Sequence, residues 1–319
     1  MTGSYVPPSL ADSKLARVTP GVRRALAVAV VALLAMGIAF TVITQADQFP
    51  DVKLQFSLGW AALAVLGLLA SELYHAALWR LVLHRLGGDM ALLTSVRTWC
   101  VSSLGRYLPP GVLMPALRVA GASAAGVAAR ITIASMAYEA AFSVLGAMIV
   151  ATLLFTEASS TAPILAGIGA AAVILVAVQP KVFARLCNAA LRRLGRDDLP
   201  TVLDNRTILP FTVAYAGSFA LVGLSVYAAT EALHPVGASV LPVAVASFSV
   251  GFLVSLAAFF VPGGLGVREA GLAAALALEI PFEVALAVSV AVRVVQIVLE
   301  LLLAGVTTLL DRRSSPSPG

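Results

Sequence analysis

The sequence predicts an all-α integral membrane protein with about seven or eight transmembrane helices and two broken or re-entrant proline-glycine elements. Three observations point there. Of the residues, 60% are hydrophobic and 12% charged, against about 25% charged in a soluble domain, and mean hydropathy is +0.97. Charge-poor runs long enough to cross a bilayer recur along the chain. Proline and glycine break the apolar pattern twice, at Gly105, Pro110 and Gly111, and again at Pro262, Gly263, Gly264 and Gly266. Non-helical backbone at membrane depth must be shielded from lipid, so each break is expected to line a cavity or serve as a hinge.

The first span is residues 25–43, with Lys14, Arg17, Arg23 and Arg24 just before it. This basic flank keeps the N-terminus in the cytoplasm, and no small-residue cleavage site marks the segment as a removable signal. A short outside connection leads to a second span, 58–79, which ends at Arg80, His84 and Arg85. Glu72 and His75 fall near that end and are assigned an interfacial or structural role. Residues 90–129 hold helical pieces too short to span, forming either a re-entrant hairpin or an interfacial amphipathic segment. The third span, 131–155, carries Glu139 near its middle, and the fourth is 162–178.

The loop 180–207 is cytoplasmic by its excess of Lys181, Arg185, Arg192, Arg193, Arg196 and Arg206. Within it Val182, Phe183, Leu186, Ala190 and Leu194 recur at helical spacing. They mark either a helix lying in the headgroup layer or an orientation signal alone. The fifth, sixth and last spans are 208–230, 241–261 and 284–310. Both termini reach the cytoplasm only if residues 266–280, about 15 in number, carry the chain across as a short or broken helix. The organisation expected is therefore a cytoplasmic tail 1–23, one polytopic membrane domain 24–310, and a cytoplasmic tail 311–319, in the cytoplasmic (inner) membrane.

Ionisable residues within such segments are costly, and by default they suggest function. Arg268 and Glu269 open the helix after the glycine loop, where free backbone N–H groups and the positive helix end favour an anion. The competing reading is that both snorkel to the interface. Arg293, Gln296 and Glu300 stand at i, i+3 and i+7, one polar stripe on an apolar helix. That stripe serves either substrate contact or an internal Arg293–Glu300 or Arg293–Glu269 ion pair. Arg106 and Arg118 flank the first proline-glycine break, and guanidinium suits bidentate recognition of phosphate. Headgroup anchoring is their alternative. Glu139 either pairs an arginine or carries a proton.

The two breaks also resemble each other. Pro110-Gly111-Val112-Leu113 precedes Arg118-Val119-Ala120-Gly121, and Pro262-Gly263-Gly264-Leu265 precedes Arg268-Glu269-Ala270-Gly271. This is either the trace of an inverted repeat or a chance match in a chain rich in these residues.

Other classes are poorly supported. Neither a nucleophile elbow nor a phosphate-binding loop occurs, so no enzyme and no cofactor is expected. Cys100 and Cys187 are far apart and the histidines scattered, which argues against a disulfide or metal site. The net charge of +5 lies in loops and orients the chain, with no case for nucleic acid.

The stretch Leu104 to Gly111 ahead of Arg118, Glu139 in the following span, and Val261 to Glu269 before the last span carry a family likeness. The chain resembles the flippase-like membrane region of lysylphosphatidylglycerol synthases, over about residues 24–310. That resemblance implies re-entrant elements around a central cavity and movement of lipids or lipid-linked sugars between leaflets. One feature departs: the family often has a Gly-Glu pair after the first break, where this chain has Leu113-Met114-Pro115-Ala116. No segment here would hold the soluble aminoacyl-transferase domain of the full-length synthases. The function expected is a flippase for a phosphate-bearing lipid or polyprenyl-phosphate sugar. Arg106, Arg118, Arg268 and Arg293 would bind the headgroup, balanced by Glu139, Glu269 and Glu300. The alternative is a non-catalytic membrane partner of a cell-envelope glycosyltransferase.

Overall fold

The computed structural model describes residues 56–107, 113–155, 162–257 and 266–314. All lie within one compact unit, Val52–Gly319. The expected first span, Pro110, Gly111, Pro262, Gly263 and Gly264 lie outside the described residues, whereas Gly105 and Gly266 lie within them.

Among the described residues the chain is helical, with no strand. The helices are α1 (Leu58–Arg85), α2 (Leu92–Leu104), α3 (Leu113–Ala124), α4 (Ala129–Ala151), α5 (Ala162–Ala177), α6 (Pro180–Arg193), α7 (Asn205–Leu233), α8 (Leu241–Ala257), α9 (Val267–Leu276) and α10 (Phe282–Ser314). Five of these segments are long and apolar enough to cross a membrane, and a sixth is possible if α5 and α6 count as one bent span. The chain is a multi-pass membrane protein. Its outer faces bear Leu66, Ile168, Val173, Leu209, Leu278 and Leu302, all exposed. Apolar side chains turned outward over so many helices are what hydrocarbon requires.

Three helices are too short to span. At 1.5 Å per residue, α2, α3 and α9 extend only about 20, 18 and 15 Å against a hydrocarbon core of about 30 Å. They occur as two hairpins, α2 with α3 and α8 with α9. In the first, Arg118 on α3 is fully buried among other helices, as a re-entrant hairpin requires. Residues 266–280 likewise form a short helix, α9, followed by a turn at Leu278–Ile280 that precedes Pro281.

Glycines let these helices approach. A side-chain carbon at Gly105 would lie 2.8 Å from the Met114 amide nitrogen, so only glycine allows α2 to close on the start of α3. At Gly251 on α8 the same atom would lie 2.5 Å from the Arg268 carbonyl oxygen. Gly266 has φ +81°, a left-handed conformation that glycine adopts without strain.

Two buried apolar clusters make the core. One gathers Trp79, Trp99, Tyr138, Phe142, Phe183 and Tyr215, and reaches Ala304 on α10. The other gathers Phe219, Phe248, Leu272, Val288, Val292 and Leu299. Helix α10 thus runs from one cluster into the other, with Arg293, Gln296 and Glu300 near the junction.

Helix α6 bends from α5 by 75°. It docks through Phe183, Cys187 and Leu191, with Phe183 stacked 3.6 Å from Tyr138. Leu186 and Leu194 of the expected apolar stripe are exposed, while Phe183 of that stripe packs inward with Cys187 and Leu191. Burial raises the Cys187 thiol above its ordinary range, which keeps it uncharged and unreactive. Around the loop, Asp197 and Asp198 pair with Arg130 and Arg192, and Asp204 caps α7 through the Thr207 amide.

Candidate functional site

Every sequence-nominated charge within the described membrane region converges on one network of buried and half-buried side chains. On the side of the first hairpin, Arg118 Nη1 donates to Glu139 Oε2 at 2.7 Å and Arg118 Nε to Ser102 Oγ at 2.9 Å. Its guanidinium lies 4.0 Å from the Trp99 ring and 5.0 Å from that of Trp79. Desolvated stacking of this kind is worth about 2 kcal/mol or more. Trp79 is itself held, donating to Ser135 Oγ at 3.0 Å. Arg118 thus sits in a closed aromatic and carboxylate box joining α1, α2, α3 and α4.

The second hairpin presents α9. Glu269 turns back to accept the Gly266 amide at 2.8 Å, so its own carboxylate caps the helix end. That places a resident carboxylate beside the helix end at which the sequence expects an anion to bind. The other carboxylate oxygen faces Arg293 Nε at 3.1 Å. That approach has ion-pair distance but not hydrogen-bond alignment, since Glu269 Oε1 and Arg293 Nε are both buried without a hydrogen-bond partner. Coulomb attraction holds them, and their directional bonding capacity is unspent.

On α10 the polar stripe is buried as a unit. Arg293 lies 4.9 Å from the Tyr107 ring. Gln296 accepts from Arg268 Nη2 at 3.3 Å, and Glu300 faces Arg106 Nη2 at 3.5 Å. Glu300 Oε2 and Arg293 Nη2 are further buried polar atoms lacking a partner. Buried orphans of this kind are few in native proteins and cluster where something else binds or moves.

Pairing leaves a remainder. Arg106 has Glu300, Arg118 has Glu139 and Arg293 has Glu269. Among the described residues Arg268 has no carboxylate within ion-pair distance; it rests 4.2 Å from the Phe248 ring and on Gln296. Glu72 is the matching anion, with no cation within that distance and only Trp99 Nε1 donating to it at 3.4 Å. Sequence reasoning missed Glu72 as a member of the network. Arg80, His84 and Arg85 suggested a span ending at Trp79, but α1 continues to Arg85, and Glu72 therefore sits at mid-helix and is buried.

Two spaces adjoin α9. Against Arg268, Glu269, Arg293 and Gln296 is a crevice of 10 Å³, room for about one water. On the opposite side of α9 an open apolar groove of 870 Å³ is walled by Val250, Val254, Val267, Ala270, Gly271 and Leu278. The helix thus has a charged face and an alkyl-accepting face. No group of histidine, cysteine or carboxylate side chains suited to a metal ion occurs among the described residues.

A family model described as the lysylphosphatidylglycerol synthase TM region matches residues 24–304. No curated protein and no solved structure gives a match.

Proposed function

The chain belongs to the lysylphosphatidylglycerol synthase TM region family, and from that membership and the charged network we propose that it moves a phosphate-bearing lipid between the leaflets of the cytoplasmic membrane. The observation that carries this reading is Arg268: a half-buried cation with no carboxylate within ion-pair distance among the described residues, on a short helix between a charged crevice and an apolar groove. A phosphate on an alkyl chain is the ligand chemistry that matches both faces.

The headgroup enters by exchange. The crevice is too small for a phosphate, so α9 must move away from α10 first. What restrains it are the Arg293–Glu269 contact, the Arg268–Gln296 hydrogen bond and the hydrogen bond that Ser289 Oγ donates to the Glu269 carbonyl oxygen at 2.9 Å. A phosphate that takes the place of the Glu269 carboxylate at Arg293, and adds a second contact to Arg268, releases that restraint while satisfying the orphaned donors. The 3.5 Å Arg106–Glu300 contact is loose enough to exchange in the same way. Each hairpin then rocks about its glycine contact, exposing the cluster to one leaflet or the other.

The test is purified protein in liposomes containing fluorescent phosphatidylglycerol, with leaflet exchange read by an impermeant quencher. Exchange by the parent and its loss in Arg268→Ala support the reading. Protein that is inert alone, yet required by a membrane glycosyltransferase for use of its polyprenyl-phosphate sugar, favours the partner role instead.

A further inference from the structure

Among the described residues, Glu72 is the one carboxylate of the network with no arginine within ion-pair distance, and its setting is built. Trp99 Nε1 donates to it, and His75 lies one turn on along α1. His75 is wedged by aromatic rings, with Trp99 stacked at 5.7 Å and Tyr215 and Phe219 edge-on at 6.1 Å each. Its Nδ1 is 3.2 Å from the Ser71 carbonyl oxygen and 2.8 Å from Ser218 Oγ. The charged groups facing Glu72 are Glu300 of α10, Arg106 after α2 and Arg268 of α9. Cys100 of α2 also adjoins it, and Arg118 of α3 acts on His75.

The sum of charges gives the consequence. Among the described residues the network holds four arginines, 106, 118, 268 and 293, and four glutamates, 72, 139, 269 and 300. With all eight ionised and His75 neutral, the cluster is neutral and has no excess charge for an anion. With a proton on Glu72 it carries one positive charge, which a phosphodiester matches. Resting on the lipid reading above, we propose that Glu72 is a proton-binding site linked to headgroup occupancy, so that one proton enters with each phosphodiester anion and leaves with it. The step balances: Glu72 carboxylate plus one proton gives the neutral acid, one phosphate charge enters, and net charge is unchanged. Translocation of the anion is then electroneutral and draws on a pH gradient.

Linkage is reciprocal, so what the anion does to the proton the proton does to the anion. The experiment titrates detergent-purified full-length protein with short-chain phosphatidylglycerol by calorimetry, in buffers of different ionisation enthalpy, between about pH 6 and pH 8. Expected for the parent is uptake of up to one proton per lipid bound, with affinity falling by up to about tenfold per pH unit as pH rises. Glu72→Gln should bind with no proton uptake and no pH dependence, while Glu72→Asp should keep both. Parent binding without proton uptake overturns the proposal and leaves the lipid reading standing. Proton uptake that persists in Glu72→Gln but vanishes in His75→Asn also overturns it, by placing the proton on His75. No binding by the parent at any pH removes the lipid reading and the proposal with it. Should Glu72→Gln not fold, His75→Asn decides: uptake kept in that variant supports Glu72, and uptake lost in it overturns the proposal.

Discussion

At the residue scale, the four arginines differ in what surrounds them, and their substitutions should differ accordingly. Among the described residues Arg268 has no carboxylate within ion-pair distance to strand, so Arg268→Ala should fold normally. Losing a charge-assisted contact of about 1.5–3 kcal/mol should weaken phosphate-lipid binding roughly 10- to 100-fold. Arg268→Lys keeps the charge but not the planar fork and should fall between parent and alanine; equal binding by all three places the headgroup elsewhere. Arg118 is the opposite case. Glu139→Leu leaves its buried guanidinium unpaired and should cost about 3–5 kcal/mol, while adding Arg118→Met should restore much of the loss. Thermal unfolding in detergent reads both, and a single variant as stable as the parent would show that the pair does not hold the box together.

At the element scale, close packing of α8 on α9 fixes where Arg268 points. A methyl at Gly251 meets the Arg268 carbonyl oxygen at 2.5 Å and the Leu272 amide nitrogen at 3.0 Å. Gly251→Ala should therefore lower transport and stability together, whereas Gly59→Ala, with nothing within 4 Å, should change neither. The same elements show what the sequence could convey. The stripe of Arg293, Gln296 and Glu300 was legible because helical period is a local property, and its alternative pairing of Arg293 with Glu269 is the one observed. The short helices α3 and α9 were legible from proline and glycine, and Gly105 and Gly266 have conformational reasons to be glycine. The tryptophan box around Arg118 and the Phe248 face under Arg268 were not, since they bring together α1, α2 and α3 in one case and α8 and α9 in the other. Glu72 was misplaced because charges at a helix end look the same whether they terminate it or extend it past the hydrocarbon. The return of Glu269 to the Gly266 amide was not legible, because a glutamate three residues into a helix can face its own cap or a neighbouring helix.

At the scale of the whole molecule, both hairpins are tied to long helices by ion pairs, α3 to α4 and α9 to α10, with the turn after α2 also reaching α10. Orientation in the membrane is a separate matter, testable by surface chemistry. The two native cysteines are buried, so they give little background. Arg196→Cys, at an exposed position beyond α6, should resist an impermeant thiol reagent in intact cells and react once the membrane is opened. Labelling from outside would invert the topology.

Two of the chain's three tryptophans, Trp79 and Trp99, face the Arg118 guanidinium, and Trp99 also bonds Glu72. The third, Trp60, is partly exposed beside Tyr227. The site therefore carries its own optical reporter. An indole's emission colour follows the field along its ring, so rearranging or neutralising charges against Trp99 should shift it. With the outer emitter removed by Trp60→Phe, titrating unlabelled protein with phosphate lipid should move the emission maximum. Adding Trp99→Phe should abolish most of that movement, and a spectrum indifferent to lipid in the first variant would mean that occupancy leaves the tryptophan box undisturbed.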